Sequence, residues 1–112
     1  MRLMQLPTAV EALSALAHAS RLAVFRLLVR AGPEGLPAGE IAREVGVLPN
    51  TLSTHLTILA HAGLIRSQRE GRSILYSADY DGMRGLLGFL MEDCCAGRPE
   101  ICALPAAASC CD

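Results

Sequence analysis

Apolar residues recur at helical spacing in five separate stretches of this chain, and between the fourth and fifth stretches the spacing changes to two. The five stripes consist of Val10, Leu13, Leu16 and Ala17; Leu22, Phe25, Leu28 and Val29; Ala38, Ile41, Ala42 and Val45; Leu52, Leu56 and Leu59; and Met83, Leu86, Leu87 and Leu90. This spacing predicts five amphipathic helices. The alternation over residues 65–77 predicts two short strands joined by a tight turn at Glu70-Gly71.

Several polar residues predict where these helices begin. Thr8 and Glu11 match a capping box, which predicts a first helix over about residues 8–18. Ser20 can cap the second helix. Asp79 or Asp81 can cap the last one, because a carboxylate accepts the free N–H groups of a first turn.

The third and fourth helices form a recognisable pair. Pro37 fits the first turn of a short helix that Gly46 ends, and the next helix starts near Pro49 and ends at Gly63. A short helix, a turn and a second helix make up a helix-turn-helix motif, whose second helix is free to read DNA. The fold class predicted is therefore mainly α: a winged helix-turn-helix with five helices and a two-stranded β-hairpin wing.

The second helix of the motif has a polar face made of short hydrogen-bonding side chains. Such a face suits a DNA major groove, where small polar groups approach base edges closely. The candidate DNA contacts are Asn50, Thr51, Ser53, Thr54 and His55 on the helix, with Arg69 and Arg72 on the hairpin. The alternatives are that His55 is an exposed bystander, and that the two arginines only keep a strand edge hydrated. The other histidines, His18 and His61, are interpreted as structural.

The net charge of the chain does not indicate DNA binding, but the distribution of its charged residues does. A formal net charge of −1 is unlike the basic excess that most DNA-binding proteins carry. Between Gly46 and Ala78, however, three arginines stand against one acid, and six acids follow Ala78. At 112 residues and 52% hydrophobic, the chain is expected to form one domain with a single core.

Neither a membrane span nor an export signal is expected in this sequence. No apolar run approaches the ~20 residues that a membrane-spanning helix needs, and the first residues do not form a signal peptide. A cytoplasmic location is therefore expected. The five cysteines, an odd number, are then expected to be reduced thiols.

The cysteines follow the last helix and divide the chain into residues 1–93, the DNA-binding and dimerisation domain, and residues 94–112, a cysteine-rich effector-binding tail. Cys94 and Cys95 are adjacent, and Gly97 and Pro99 can fold the chain back to bring Cys102 to the same point. A pyramidal site of three thiolates suits As(III) or Sb(III), and Cys94, Cys95 and Cys102 are the predicted metal ligands.

Other roles for the tail stay open. Cys110 or Cys111 could supply a fourth sulfur, which would suit zinc, cadmium or lead. The thiols could instead form a redox switch. Cysteines can also be small buried hydrophobes, although this tail offers little core to fill.

The run Ser53-x-His55-Leu56-x-x-Leu59-x-x-Ala62-Gly63-Leu64-Ile65, followed by Arg69-x-Gly71-Arg72 and Tyr76, resembles the recognition helix and wing of the ArsR/SmtB family of metal-responsive repressors. Upstream, Leu16-Ala17-His18-x-x-Arg21-Leu22 is similar to the early helices of that family, so the resemblance spans about residues 10–91. It implies a homodimer built on the first and last helices. The chain departs from the family in two places, since residues 37–45 contain no cysteine and residues 79–93 no histidine. These departures leave the tail as the expected sensor, as in a known arsenic-responsive variant.

The function predicted is a dimeric repressor that binds double-stranded operator DNA and is released when As(III) or Sb(III) binds the tail. The rivals are the redox switch, the four-thiolate metal sensor and a small thiol enzyme such as an arsenate reductase. The enzyme is disfavoured because the chain shows no βαβ pattern and no cysteine in a phosphate-binding glycine loop.

Overall fold

The computed structural model describes residues 5–91, which form five helices and a small antiparallel sheet. In chain order the elements are α1 (Leu6–Leu16), α2 (Ala19–Ala31), β1 (Leu36–Pro37), α3 (Ala38–Val45), α4 (Pro49–His61), β2 (Ile65–Glu70), β3 (Ser73–Ala78) and α5 (Tyr80–Leu90). This arrangement confirms the winged helix-turn-helix, with α3 and α4 as the motif and β2 and β3 as the wing.

Two predicted helix starts are wrong, and in each case a neighbouring residue begins the helix. The helix α1 starts at Leu6, with Pro7 in its first turn, so Thr8 lies inside the helix and caps nothing. Proline presets the backbone for a first turn and needs no N–H partner there. The helix α2 is capped by His18, whose Nδ1 accepts the N–H of Ser20 at 3.1 Å.

The predicted cap of the last helix is confirmed at Asp79, whose Oδ1 accepts the N–H of Gly82 at 3.1 Å. The same turn lies against the chain that follows α4. A Cβ added to Gly82 would collide with the carbonyl oxygen of Gly63. Helix α5 can therefore approach the end of α4 this closely only because residue 82 has no side chain.

The sheet has one strand more than the sequence pattern predicts. The strand order is β1-β3-β2, and β1 pairs antiparallel with β3, placing Leu36 opposite Tyr76. Two residues, one of them a proline, are too few to produce a visible alternation, so β1 was not predicted.

The turn of the wing lies one residue later than predicted. Glu70 pairs with Ser73, so Gly71 and Arg72 form the two-residue tip. Gly71 has a φ of 63°, and no residue other than glycine in the described chain has a positive φ. Glycine at the first of two central positions is the pattern of a type II′ turn, which matches the twist of the strands.

The core joins all five helices, the segment that follows α4, the first residue of β2 and the last residue of β3. Its largest fully buried side chains are Val24, Leu28, Ile41, Leu52, Leu59 and Leu64. Leu56 is also buried, so the leucine stripe of α4 faces inward as predicted. Burying each such leucine stabilises the fold by about 1.5–3 kcal/mol relative to leaving it in water. The stripe thereby fixes which face of α4 remains outside.

Within the described residues, no single helix is long and apolar enough to span a membrane. Helices α1 and α2 reach the necessary length and hydropathy only as a pair, and they meet at a bend of 100°. The predicted tail with its five cysteines, including the candidate ligands Cys94, Cys95 and Cys102, lies outside the described residues.

Candidate nucleic-acid interface

The outward face of α4 is lined by exposed, short polar side chains. Asn50, Thr51, Ser53 and Thr54 are all exposed, where the sequence pattern placed them. The first turn of α4 contains no acidic residue, and residue 48 provides no side-chain cap. A helix start of this kind has a partial positive charge, which favours an approaching phosphate.

Two hydrogen bonds shape this face locally. The Oδ1 atom of Asn50 accepts the N–H of Thr51 at 3.1 Å, and the hydroxyl of Thr57 donates to the carbonyl oxygen of Ser53 at 3.0 Å. Thr57 therefore uses its own proton within the helix, whereas within residues 5–91 the side-chain hydroxyls of Ser53 and Thr54 have no protein partner. These two hydroxyls are free to meet donors and acceptors on another molecule.

The placement of His55 on the exposed face is wrong. Its side chain is only 7% exposed and lies on the inner side of α4, next to the buried Leu56. Residues three and four apart share a helix face, and His55 lies between Leu52 and Leu59 on the face that the structure buries. His55 therefore leaves the set of candidate DNA contacts.

His55 instead joins α4 to the corner between α1 and α2. Its Nδ1 atom lies 3.5 Å from Nη1 of Arg21, and its ring centroid lies 4.8 Å from that of His18. The Nε–H of Arg21 donates to the carbonyl oxygen of Ala15 at 2.6 Å. The guanidinium of Arg21 thus connects the end of α1 to the middle of α4. Sequence reasoning missed Arg21; the only available signal was the His18-x-x-Arg21 pattern, which carries no information about His55, 34 residues further along.

The setting of His55 favours its neutral form. Burial is the main cause that lowers the pKa of His55 below 6.5, and positive charge on His18 and on Arg21 lowers it further. The unfolded chain therefore binds this proton more readily than the folded chain does. Stability from this residue is present above pH 6.5 and is lost as the pH falls through and below that value.

We expect the free energy of unfolding to decrease between pH 7.5 and pH 5, and His55→Gln to reduce this decrease. The free energy of unfolding is measured at each pH by urea titration followed by circular dichroism. His61→Gln is the matched control, because the side chain of His61 is 81% exposed and its replacement should not remove the contribution of the buried His55. An equal pH dependence in wild type and His55→Gln would contradict this account.

The wing carries three exposed arginines, Arg66, Arg69 and Arg72. Within residues 5–91 the ion pairs are His61 with Glu11 and Arg84 with Asp81, so none of the wing arginines is engaged in one. Arg72 occupies the tip itself, because the turn is formed by Gly71 and Arg72. Exposed, uncompensated guanidinium groups at a hairpin tip can contact phosphate or enter a minor groove.

A separate apolar surface lies on α1 and α5. Leu6 is 62% exposed and Val10 55%, and on α5 Leu90 is 51% exposed. Leu13 and Leu87 add to it. These two helices also contact each other within the chain. Exposed aliphatic residues grouped on two neighbouring helices indicate a surface that another protein covers.

Comparison with known proteins agrees with this arrangement. A family model described as a helix-turn-helix domain matches residues 16–68. The chain is 33% identical over 87 residues to the HTH-type transcriptional regulator YgaV of Escherichia coli (strain K12), covering 78% of this chain and 86% of that protein.

Solved structures give the same result. The crystal structure of NolR from Sinorhizobium fredii is 31% identical, with a TM-score of 0.62, and the match covers 82% of this chain and 95% of that one. The homodimeric winged helix-turn-helix DNA-binding domain of Mb0332 from Mycobacterium bovis, described as a possible ArsR-family transcriptional regulator, is 27% identical, with a TM-score of 0.64 and coverages of 79% and 82%. With its recognition helix, its arginine-bearing wing and these relatives, the chain belongs to the ArsR/SmtB family of winged helix-turn-helix transcriptional regulators.

Proposed function

We propose that this regulator is a repressor that binds an inverted-repeat operator as a homodimer, with α4 of each subunit in a major groove. The observation that carries the proposal is the exposed, acid-free polar face of α4, beside a wing whose arginines have no carboxylate partner in the described chain. Two reading helices related by a twofold axis would lie about one turn of DNA, ~34 Å, apart. Such a regulator acts in the cytoplasm, where its DNA is.

The apolar surface on α1 and α5 supports a symmetric dimer. Exposed Leu6, Val10 and Leu90 would be removed from water by the same surface of a second copy, as in other twofold interfaces. The homodimeric state of the Mb0332 domain is in line with this proposal. Dimerisation would also fix the distance between the two reading helices.

The effector we propose is As(III) or Sb(III), held by the thiolates of Cys94, Cys95 and Cys102. The support is the sequence alone, namely three soft sulfur donors close together in the chain. The cysteines begin four residues after α5 ends at Leu90. Binding there could reposition α5, and with it the dimer interface and the spacing of the two reading helices.

The cysteine proposal predicts a loss of response without a loss of DNA binding. We expect Cys→Ser at position 94, 95 or 102 to leave operator affinity unchanged and to raise the arsenite concentration needed for release by at least about tenfold, since a ligand acts only through its differential affinity for the two states. Release is measured by fluorescence anisotropy of a labelled operator under reducing conditions. The double variant of Cys110 and Cys111 is the control, expected to respond as wild type does.

The same titration separates the remaining hypotheses. Normal release of the triple serine variant would exclude this thiolate site. Release of the wild type by zinc, cadmium or lead but not by arsenite, lost in the Cys110 and Cys111 variant, would favour the four-thiolate site. Release by peroxide without release by arsenite would favour the redox switch. The relatives found are transcriptional regulators, which offers no support for the thiol enzyme.

A further inference from the structure

Leu48 has the highest exposure of the large apolar side chains in the described chain, at 69%. It immediately precedes Pro49, the first residue of α4, and its carbonyl oxygen accepts the N–H of Leu52 at 2.8 Å. This bond holds residue 48 at the N-cap, with an extended backbone of φ −71° and ψ 147°. The backbone that carries this side chain is therefore fixed, while most of the side chain is exposed to solvent.

The surface that we assign to the dimer does not account for Leu48. Helix α1 contacts the C-terminal end of α4, where Oε2 of Glu11 lies 3.5 Å from Nε2 of His61. At 1.5 Å per residue, the thirteen residues from Leu48 to His61 place these two ends of α4 about 20 Å apart. Leu48 instead lies beside Asn50 and Thr51, at the start of the face that we propose enters the major groove.

On the major-groove edges of the base pairs, an apolar side chain at this position can contact one apolar group. The N-terminal residues of a recognition helix are those that reach the bases. Hydrogen-bond donors and acceptors cover the major-groove edges of the base pairs, and thymine alone presents a methyl group there. Leu48 has no donor or acceptor in its side chain, so it cannot read the other groups.

We propose that Leu48 is a specificity-determining residue that reads the C5-methyl group of one thymine in each operator half-site. The inference rests on the proposed DNA-binding function and deepens it by naming a base and an atom. Asn50, Thr51, Ser53 and Thr54 would recognise polar groups next to it, whereas Leu48 selects by apolar contact and by excluding water from the methyl group.

The test uses the full-length reduced protein and an operator selected from random duplex DNA. Each thymine is then replaced by deoxyuridine, which removes only the methyl group, and affinities are measured for wild type and for Leu48→Ala. In each half-site we expect one such replacement, made alone, to weaken wild-type binding about fourfold, the worth of one buried methyl group. In Leu48→Ala the same substitution should have no effect. Leu22→Ala, on α2 and 43% exposed, is the matched control and should keep the wild-type response.

The possible outcomes are distinct. Selection that enriches no sequence would overturn the proposed function itself. An enriched operator whose thymines all tolerate deoxyuridine in wild type would leave the repressor intact and refute the role of Leu48. Equal sensitivity in wild type and Leu48→Ala would also refute it, because another side chain, such as the methyl group of Thr51, would then read the thymine.

Discussion

Replacing Thr54 by glutamate is expected to weaken operator binding by roughly a thousandfold. The substitution adds one negative charge to the centre of the exposed face of α4, and the twofold symmetry of the dimer places one such charge in each half-site. Each charge would face phosphates and the hydrogen-bond acceptors of the bases. It would cost about 2 kcal/mol of binding free energy, within the several kcal/mol that like-charge contacts cost in interfaces. Fluorescence anisotropy with a labelled operator at physiological salt measures the loss.

Thr8→Glu provides a matched control for this experiment. It makes the same chemical change at an exposed position in the first turn of α1, where a negative charge is favourable to the helix. The control should retain wild-type affinity, and both variants should retain the wild-type melting temperature and oligomeric state. Operator binding by Thr54→Glu within tenfold of wild type would mean that this face of α4 does not meet the DNA.

Gly82→Ala is expected to destabilise the fold by about 3 kcal/mol, a value at the upper end for overpacking a well-filled site. The helical backbone at residue 82 would itself accept alanine. The added Cβ, however, would collide with the carbonyl oxygen of Gly63, which is backbone and cannot rotate away. The first turn of α5 must move, and its cap on Asp79 is strained with it. Urea unfolding followed by circular dichroism measures the change.

Gly39→Ala distinguishes this collision from a general effect of glycine replacement. Gly39 lies in α3, is exposed, and has no neighbouring atom within 4 Å of an added Cβ. Alanine there should leave stability unchanged or raise it by up to about 1 kcal/mol, because alanine favours helix and restricts the unfolded chain. A similar result for Gly82→Ala would show that α5 does not approach Gly63 as closely as described.

The helix-turn-helix could be predicted from the sequence because periodicity reports which face of a helix is buried. The leucines of α4 determine its inner face, and Asn50, Ser53 and Thr54 follow as its outer face without further information. His55 was predicted to be exposed because its side chain is polar, although its position in the helix lies on the buried face. Its neighbour Leu56 is buried, and the guanidinium that partners the imidazole comes from α2, far away in the sequence. No local pattern can report a partner of this kind.

Helix starts and the wing register failed for a different reason, because they depend on competition between neighbouring residues. Thr8 is a good capping residue, but Pro7 starts the helix earlier. Glu70-Gly71 is a plausible turn, yet pairing of Glu70 with Ser73 moves the turn to Gly71-Arg72. One residue of register decides whether Arg72 only flanks the tip of the wing or forms part of it, which is why Arg72 is the stronger candidate for a DNA contact.

The strand order β1-β3-β2 also determines how the sheet could meet a second sheet. Within the described chain β2 pairs only with β3, so its other edge has free backbone N–H and C=O groups. A strand of another molecule could pair with this edge, and repeated pairing would form a polymer. Exposed Arg66, Arg69 and Glu70 lie along this strand. Two arginines and one glutamate leave each such edge with a net positive charge, and charged edge residues are a means by which natural sheets resist aggregation. The wing arginines that we propose meet DNA would therefore also oppose pairing between the β2 edges of two copies.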